Sequence, residues 1–463
     1  MSSISITNNH SRRRFGGLAL GVLVALAMLC LPGVAGAATI NVTTTTDEFD
    51  SGSRCSLREA IWSANNDSTA MAQGCSAGAG ADVVVVPAGT FGLTREAVAP
   101  DTTAEDAGVY GDLDVTGPLS IVHRGVRPAR IVAYAISERV FHALTPGGLT
   151  LDGVTIDGGD GVTRGGGILN EGFLTVQNTT IRDNYATFGG GISTEGASTA
   201  ILRNVTIANN RAMEDGGGIS VEAGGSVALS NVTVAYNYAD YDGSGGGDGG
   251  GLFASTSGDG GTLTMRNTLV AGNSDNGNEA VDCARLGGTI TSQGRNLVGN
   301  ANGCDYEAGP RDILNQDARL TSLRDNGGPT ATVALRKGSP AVNAGAGCTI
   351  TDQRGVKRRL GGKCDIGAYE LASCEGRVIN RVGTEGADLL IGTSGVDGFL
   401  ALGGKDTMRG AGGKDGLCGG NGKDRLEGGA GADSLNGGAG RDTCIGGSGR
   451  DSGRRCELPG RGK

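Results

Sequence analysis

Between Leu149 and Asn273 apolar and polar residues alternate in bursts that return in one order: LTLDGVTIDGG, LTVQNTTIRDN, AILRNVTIANN, VALSNVTVAYN and LTMRNTLVAGN. Within a burst the period is two (Leu174, Val176; Val205, Ile207), the mark of a strand with one buried face. Aligned, the phrases set Asn178, Asn204, Asn231 and Asn267 in one column and Asn184, Asn210, Asn237 and Asn273 in another. A glycine run ending in an aliphatic residue accompanies them at Gly165–Ile168, Gly189–Ile192, Gly216–Ile219 and Gly249–Leu252. The columns repeat at 25, 26, 27 and 36 residues. That is too long for a hairpin array and suits units that stack on their own copies. The pattern predicts a parallel β-solenoid, with Asn at its corners because a short amide tolerates the left-handed conformation and can bond to the same amide one coil away. Asn is also a common turn former, so these columns read as architecture, not as a site.

The pattern extends in both directions. VVVVPAGTF from Val83, GDLDVTG at 111–117 and ARIVAY at 129–134 read as strands. Coils are expected from Asp82 to about Val342, roughly ten of them in a rod about 50 Å long, with the β-helix assigned to residues 82–345. Before it, residues 38–81 carry the only helical periodicity. Ser56 and Glu59 form a capping box, and Leu57, Ala60, Ile61 and Ala64 share a face, so a short helix covers the open first coil. Trp62 packs there. The tract Ser244–Gly251 is the one large insertion, readable as a binding loop or as a flexible one. Residues 346–378 form a closing section and linker.

Composition agrees with thin stacked layers. The chain of 463 residues has 88 glycines, 38% apolar and 4% aromatic residues, poor material for one thick core. A formal charge of −9 argues against nucleic acid, which calls for a basic surface, and permits cations. Residues 1–37 read as an export signal: Arg12–Arg14, an apolar run from Leu18 to Leu31, and Ala35-Gly36-Ala37 as the cleavage site. Ser11–Phe15 also resembles a twin-arginine signal, so the export route stays open. No other segment is apolar enough to span a bilayer, so the mature chain is expected outside the cell, secreted or on the surface, without a transmembrane domain. Loss of Cys30 with the signal leaves ten cysteines, and disulfides are expected. Proximity pairs Cys55 with Cys75, Cys283 with Cys304, Cys348 with Cys364 and Cys444 with Cys456, leaving Cys374 and Cys418; spacing alone cannot settle connectivity.

A second, shorter period occupies the tail, assigned to residues 379–457. Residues 383–454 are eight gapless nonapeptides with Gly fourth and Asp sixth in every one. Nonapeptides of this kind are a calcium-binding β-helix repeat, and the segment resembles the hemolysin-type calcium-binding (RTX) repeats. Glycine turns direct backbone carbonyls inward and the Asp adds a carboxylate, an all-oxygen set suited to Ca²⁺. The expected ligands are Asp388, Asp397, Asp406, Asp415, Asp424, Asp433, Asp442 and Asp451. With two nonapeptides per turn, Asp388, Asp406, Asp424 and Asp442 form one ladder and the other four a second; without a cation each is a row of like charges at about 5 Å. The eighth residue, such as Leu390, Met408 or Leu426, packs the core. Thr384, Thr393 and Leu402 replace the second Gly, so those sites should be weaker.

Four further resemblances bear on function. CSLREAI at Cys55–Ile61 is close to the motif of the CSLREA domain of bacterial surface proteins. The GGGI and NN phrases resemble repeats of chlamydial polymorphic outer membrane proteins and, more loosely, the right-handed β-helix of pectate lyases. Residues 317–370, with GSPAVNAG at 338–345 and DQRG at 352–355, resemble the choice-of-anchor Q domain. Together they imply an all-β chain, a right-handed parallel β-helix followed by a calcium-binding β-roll, acting in adhesion or in polysaccharide or matrix binding. The alternative is a carbohydrate-active enzyme, a polysaccharide lyase or glycoside hydrolase, on the same fold. Its candidate acids would be Asp112 with Asp114 and Asp157 with Asp160; no set of partners for either pair is legible, and the expectation leans away from catalysis.

Overall fold

The computed structural model describes residues 36–459 apart from 51, 97–107, 161, 223, 244–245, 256–259, 278–280, 307 and 359–362. The export segment through Ala35 lies outside the described residues. Among those described, the helix α1 (Leu57–Asn66) is the only one, and every solenoid strand pairs in parallel with its counterpart one coil away.

One coil shows the plan. Phe173–Gln177 lies in a first sheet, Thr180–Arg182 in a second, Tyr185–Phe188 in a third and Ile192–Thr194 in a fourth, before Thr199–Arg203 returns to the first. The four sheets hold nine, nine, five and seven strands among the described residues. Register sets like on like: Leu174 pairs with Leu149 and Ala200, Ile181 with Ile156 and Ile207, Ile192 with Ile168 and Ile219. All nine are buried, so the period of two becomes continuous aliphatic stacks inside the coils.

The two asparagine columns divide the work expected of each. Asn178, Asn204, Asn231 and Asn267 turn the corner with φ of 50°, 52°, 56° and 48°. The second column is buried and makes the ladder: the amide of Asn184 donates to Asn210 Oδ1, Asn210 to Asn237, and Asn237 to Asn273, each at 2.9 Å. The second half of the glycine insertion is part of the stack, since Gly216 and Gly218 N–H donate to the carbonyls of Asp248 and Gly250.

The ends differ from the sequence expectation. The first sheet begins at Thr39–Asn41, ahead of the helix, because this strand pairs with Asp82–Val85 across the cap. Helix α1 has its capping box, with Glu59 N–H on Ser56 Oγ at 3.1 Å and Ser56 N–H on Glu59 Oε2 at 3.0 Å. Its buried Arg58 reaches Asp47 and four carbonyls between Gly108 and Asp112, stitching cap to coil. At the other end the last parallel strand is Ile313–Leu314, short of Val342. The chain then forms an antiparallel pair, Leu320–Arg324 with Thr332–Leu335, and runs back along the second sheet. Gln353 bonds Thr180 and Thr206, Asn204 and Asn267 donate to the carbonyls of Thr351 and Ala346, and Ala368 N–H donates to Thr233 Oγ1. The closing section therefore covers a flank, which is why all three residues of Thr206–Ala208 and Thr233–Ala235 are buried. Arg354 of the DQRG phrase is fully buried on Asp352 and the Tyr369 ring, a structural knot.

Five disulfides form: the four pairs expected by proximity, and Cys374–Cys418, which ties the linker to the roll. Val356, Ala372, Ile379 and Val382 add an apolar joint there with Leu400 and Leu402.

Candidate calcium site

The roll is two parallel sheets in which every second nonapeptide stacks: Leu390 on Met408, then Leu426 and Cys444, and Phe399 on Leu417 and Leu435. These side chains form its core. The invariant fourth glycine has a steric cause. A Cβ on Gly422, Gly431, Gly440 or Gly449 would lie 1.5–1.6 Å from the carbonyl oxygen of the fourth glycine one turn before, and all four have φ between +136° and +144°.

The Asp column is a ladder of a particular kind. Each backbone N–H donates to Oδ1 of the Asp one turn on: Asp388 to Asp406 at 2.8 Å, Asp397 to Asp415, Asp406 to Asp424, Asp415 to Asp433 and Asp424 to Asp442 at 2.9 Å, and Asp433 to Asp451 at 3.0 Å. That uses one oxygen. The other, Oδ2 of Asp406, Asp415, Asp424, Asp433 and Asp442, is buried and no hydrogen-bond donor reaches it. Buried acceptors without partners are rare and ask for an explanation. Burial, with the neighbouring ladder carboxylates adding to it, raises Asp406 and Asp415 to about 6, and raises Asp424 and Asp433 as well. Five buried acceptor-only groups without a donor fit a hard divalent cation.

The first two repeats differ in kind. Thr384 N–H and hydroxyl donate to Asp388 Oδ2 at 2.5 and 3.0 Å, and Thr393 does the same for Asp397 at 2.7 and 2.9 Å. Here the residue replacing the second glycine fills the oxygen that is bare elsewhere. Asn380 and Arg381 also reach Asp397. Leu402 differs from the two threonines: at φ +73° it keeps the left-handed turn of Gly420 and Gly429, and Asp406 Oδ2 stays bare.

The acids weighed for catalysis are placed otherwise. Asp157 is buried and clasped by Arg130, by Arg182 at 2.6 Å and by the Tyr134 hydroxyl at 2.5 Å, a tie across three coils, while Asp160 is exposed. Asp112 and Asp114 do come together with a histidine that the sequence did not pair with them. Asp112 faces Arg139 at 3.4 Å, Asp114 lies 3.5 Å from His142 Nδ1, and Glu171 lies 3.0 Å from its Nε2. Asp112, Asp114 and His142 offer ligand atoms within 4.8 Å of one another. Burial opposes the imidazolium, but Asp114 and Glu171 outweigh it and the His142 pKa is raised. His142 Nε2 hydrogen-bonds Glu171, while its Nδ1 faces Asp114 in an ion-pair geometry, so both ring nitrogens of the cluster look onto carboxylates. The signal that could have found it is register, since Asp114 pairs with His142 in adjacent coils.

Comparison with known families agrees with both regions. The model of the RTX calcium-binding nonapeptide repeat matches residues 382–417 and 419–452, in four copies, and the model of the right handed beta helix region matches residues 141–316. No curated protein matches the chain. The chain thus carries a right-handed β-helix and calcium-binding RTX repeats. Its disulfides are compatible with a place outside the cell. Among the described residues no helix is long and apolar enough to cross a membrane.

Proposed function

We propose that the chain is exported by its N-terminal signal and acts at or beyond the cell surface as a calcium-ordered β-helix that binds extended glycans or matrix, in keeping with the surface-protein motifs at Cys55–Ile61 and residues 317–370. The observation that carries the calcium part is the row of five buried Asp Oδ2 atoms with no donor. Asp406, Asp415, Asp424, Asp433 and Asp442 are then the principal ligands, Asp451 closes the end, and Asp388 and Asp397 are held by threonine in place of the ion. Bound Ca²⁺ supplies the positive charge that the ladder lacks. The chain's own part is to hold carboxylates and turn carbonyls in register, so ordering the roll and binding are one event.

Hydrogen exchange of the whole protein tests this. Chelation should strip protection from amides between Thr407 and Ser452 and leave those of the β-helix core, such as Ile181 and Ile207, unchanged; Mg²⁺ should restore the roll much less than Ca²⁺. Equal protection of the roll in chelator and in millimolar Ca²⁺ would overturn the assignment.

A further inference from the structure

We infer that the corner between the second and third sheets is a binding trough for an extended, uncharged glycan chain, with Tyr185 and Tyr238 as its stacking platforms and Arg211 between them. This rests on the glycan reading above and gives it a place and a ligand class.

The trough is built by register. Tyr185, Arg211, Tyr238 and Ser274 are partners in successive coils, so the two rings stand two coils, about 10 Å, apart with a guanidinium midway. Two cavities, about 440 and 550 Å³, open on either side and share Arg211 and Tyr241. A third, about 570 Å³, continues the line and shares Tyr236 with the second. Of the eight tyrosines in the chain, Tyr134, Tyr185, Tyr236, Tyr238 and Tyr241 line these cavities.

The rings are pinned before any ligand arrives. Tyr241 meets Tyr185 and Tyr238 edge to face at 5.9 and 5.7 Å, and Arg211 lies 4.7 Å over its ring while donating to its hydroxyl at 3.1 Å. The hydroxyls of Tyr134 and Tyr236 are tied to Asp157 and to the carbonyl of Thr321. Tyr134 lies over Gly158, where a Cβ would come within 2.1 Å of the ring, yet it remains 63% exposed. Rigid aromatic surface of this kind binds at small entropic cost. Backbone strain points the same way. The corner position occupied by Gly158, Asp183, Asn209 and Gly272, all with positive φ, holds Tyr236 at φ +61°. Glycine, Asn and Asp are what such a turn favours, and a bulky ring there is an outlier; the turn alone does not account for it.

Charge selects the ligand. Asp160 and Asp183 outnumber Arg211 in the first cavity, whereas Arg319, Arg336 and Lys337 outnumber Asp282 and Asp317 in the third. A uniform polyanion meets repulsion at one end and a uniform polycation at the other. A hydroxyl-rich neutral chain satisfies both, donating to carboxylates and accepting from guanidinium groups, while its ring faces cover the tyrosines. Spacing by two coils further fits a straight chain whose faces repeat every second sugar ring.

The test is affinity electrophoresis of the calcium-loaded full chain in gels containing xyloglucan, mixed-linkage β-glucan or glucomannan, with dextran, polygalacturonate and chitosan alongside. At least one of the first three should retard the protein, and the last three should retard it less. Tyr185→Ala with Tyr238→Ala should weaken retention at least tenfold, and Arg211→Gln severalfold. Phe173→Ala, which removes an exposed ring on the first sheet, should leave it unchanged. Unaltered hydrogen-exchange protection of Ile181 and Ile207 in each variant excludes unfolding as the cause. Retention that survives the double tyrosine variant sinks the trough and leaves glycan binding standing elsewhere on the rod. Absence of retention in every neutral glycan sinks both, and strongest retention in polygalacturonate or chitosan overturns the charge argument.

Discussion

The β-helix and the roll are both parallel solenoids with polar ladders along their turns, one in the β-helix and two in the roll, and the ladders differ in a single atom per rung. In the β-helix each rung is an amide: Asn210 Oδ1 accepts from the backbone and amide of Asn184, and its Nδ2 donates to Asn237, so the ladder closes on itself. In the roll each rung is a carboxylate: Asp424 Oδ1 accepts Asp406 N–H, and Oδ2 has nothing to accept from. An amide carries donor and acceptor together, whereas a carboxylate only accepts. The first ladder is complete as protein; the second is complete only with a cation. On the proposed reading one region needs no ion and the other is ordered by calcium, although both are made by stacking short repeats.

Exchanging the rungs gives the largest expected effect. Asn210→Asp would place a carboxylate oxygen against the carbonyls of Ile181 and Ala208 and Asn237 Oδ1, three acceptors that the amide now satisfies. The β-helix should lose at least about 3 kcal/mol at neutral pH, read as a lower urea midpoint, because a buried charge is left without a donor. Stability should return on acidification, since the folded-state pKa of the new Asp is raised and its protonated form can donate again. The reverse change, Asp424→Asn, should raise the melting point of the roll in chelator and shrink the increment that Ca²⁺ adds. If Asn210→Asp were neutral, the ladder would be ornamental and the comparison would fail.

Most of this contrast was legible in the sequence, because both ladders are periodic. The Asn and Asp columns, the stacking of alternate nonapeptides and the aliphatic layers all follow from repeats that lie one coil apart in the chain. What lacked a period was not legible. The closing section lies along the second sheet through contacts such as Gln353 with Thr180 and Thr206, far apart in the chain, and its own sequence shows no repeat that would place it there. Gathering of Asp114, His142 and Glu171 needed a register between coils whose lengths differ. The two threonines read as worn glycines when counted against a consensus, but in three dimensions they are hydrogen-bond donors.

Acidity separates the two regions by a smaller margin. Asp406 and Asp415 are raised to about 6 in the calcium-free fold, by burial first and by the neighbouring carboxylates after it. A carboxyl whose folded pKa lies above its unfolded value favours the fold at low pH, and that contribution is lost as pH rises through about 6. Calcium takes only the deprotonated form, so protons compete with it below that point. The Ca²⁺ midpoint for ordering the roll should therefore be flat above about pH 7 and climb steeply between pH 6 and pH 5, while the calcium-free roll gains order toward acid. Circular dichroism titrations at pH 7.5 and 5.0 check both halves, and a midpoint independent of pH would mean that these carboxylates are not the ligands.

The smallest effect concerns the two rungs that the protein fills itself. Thr393 spends its N–H and its hydroxyl on Asp397 Oδ2, the atom that is bare in Asp415 one turn on. Thr393→Gly removes the hydroxyl donor and restores the residue whose left-handed turn is seen at Gly420 and Gly429. Asp397 would then resemble the later rungs, except that Asn380 and Arg381 still touch it from the linker side. Isothermal titration should show up to one additional calcium per chain, weaker than the rest, and a slightly less stable first turn in chelator. By the same logic Asp388→Ala should scarcely change calcium stoichiometry, whereas Asp424→Ala should lower it and raise the midpoint. Equal losses from Asp388→Ala and Asp424→Ala would show that threonine and calcium do not substitute for one another at this oxygen, and that the roll is filled with calcium from its first repeat.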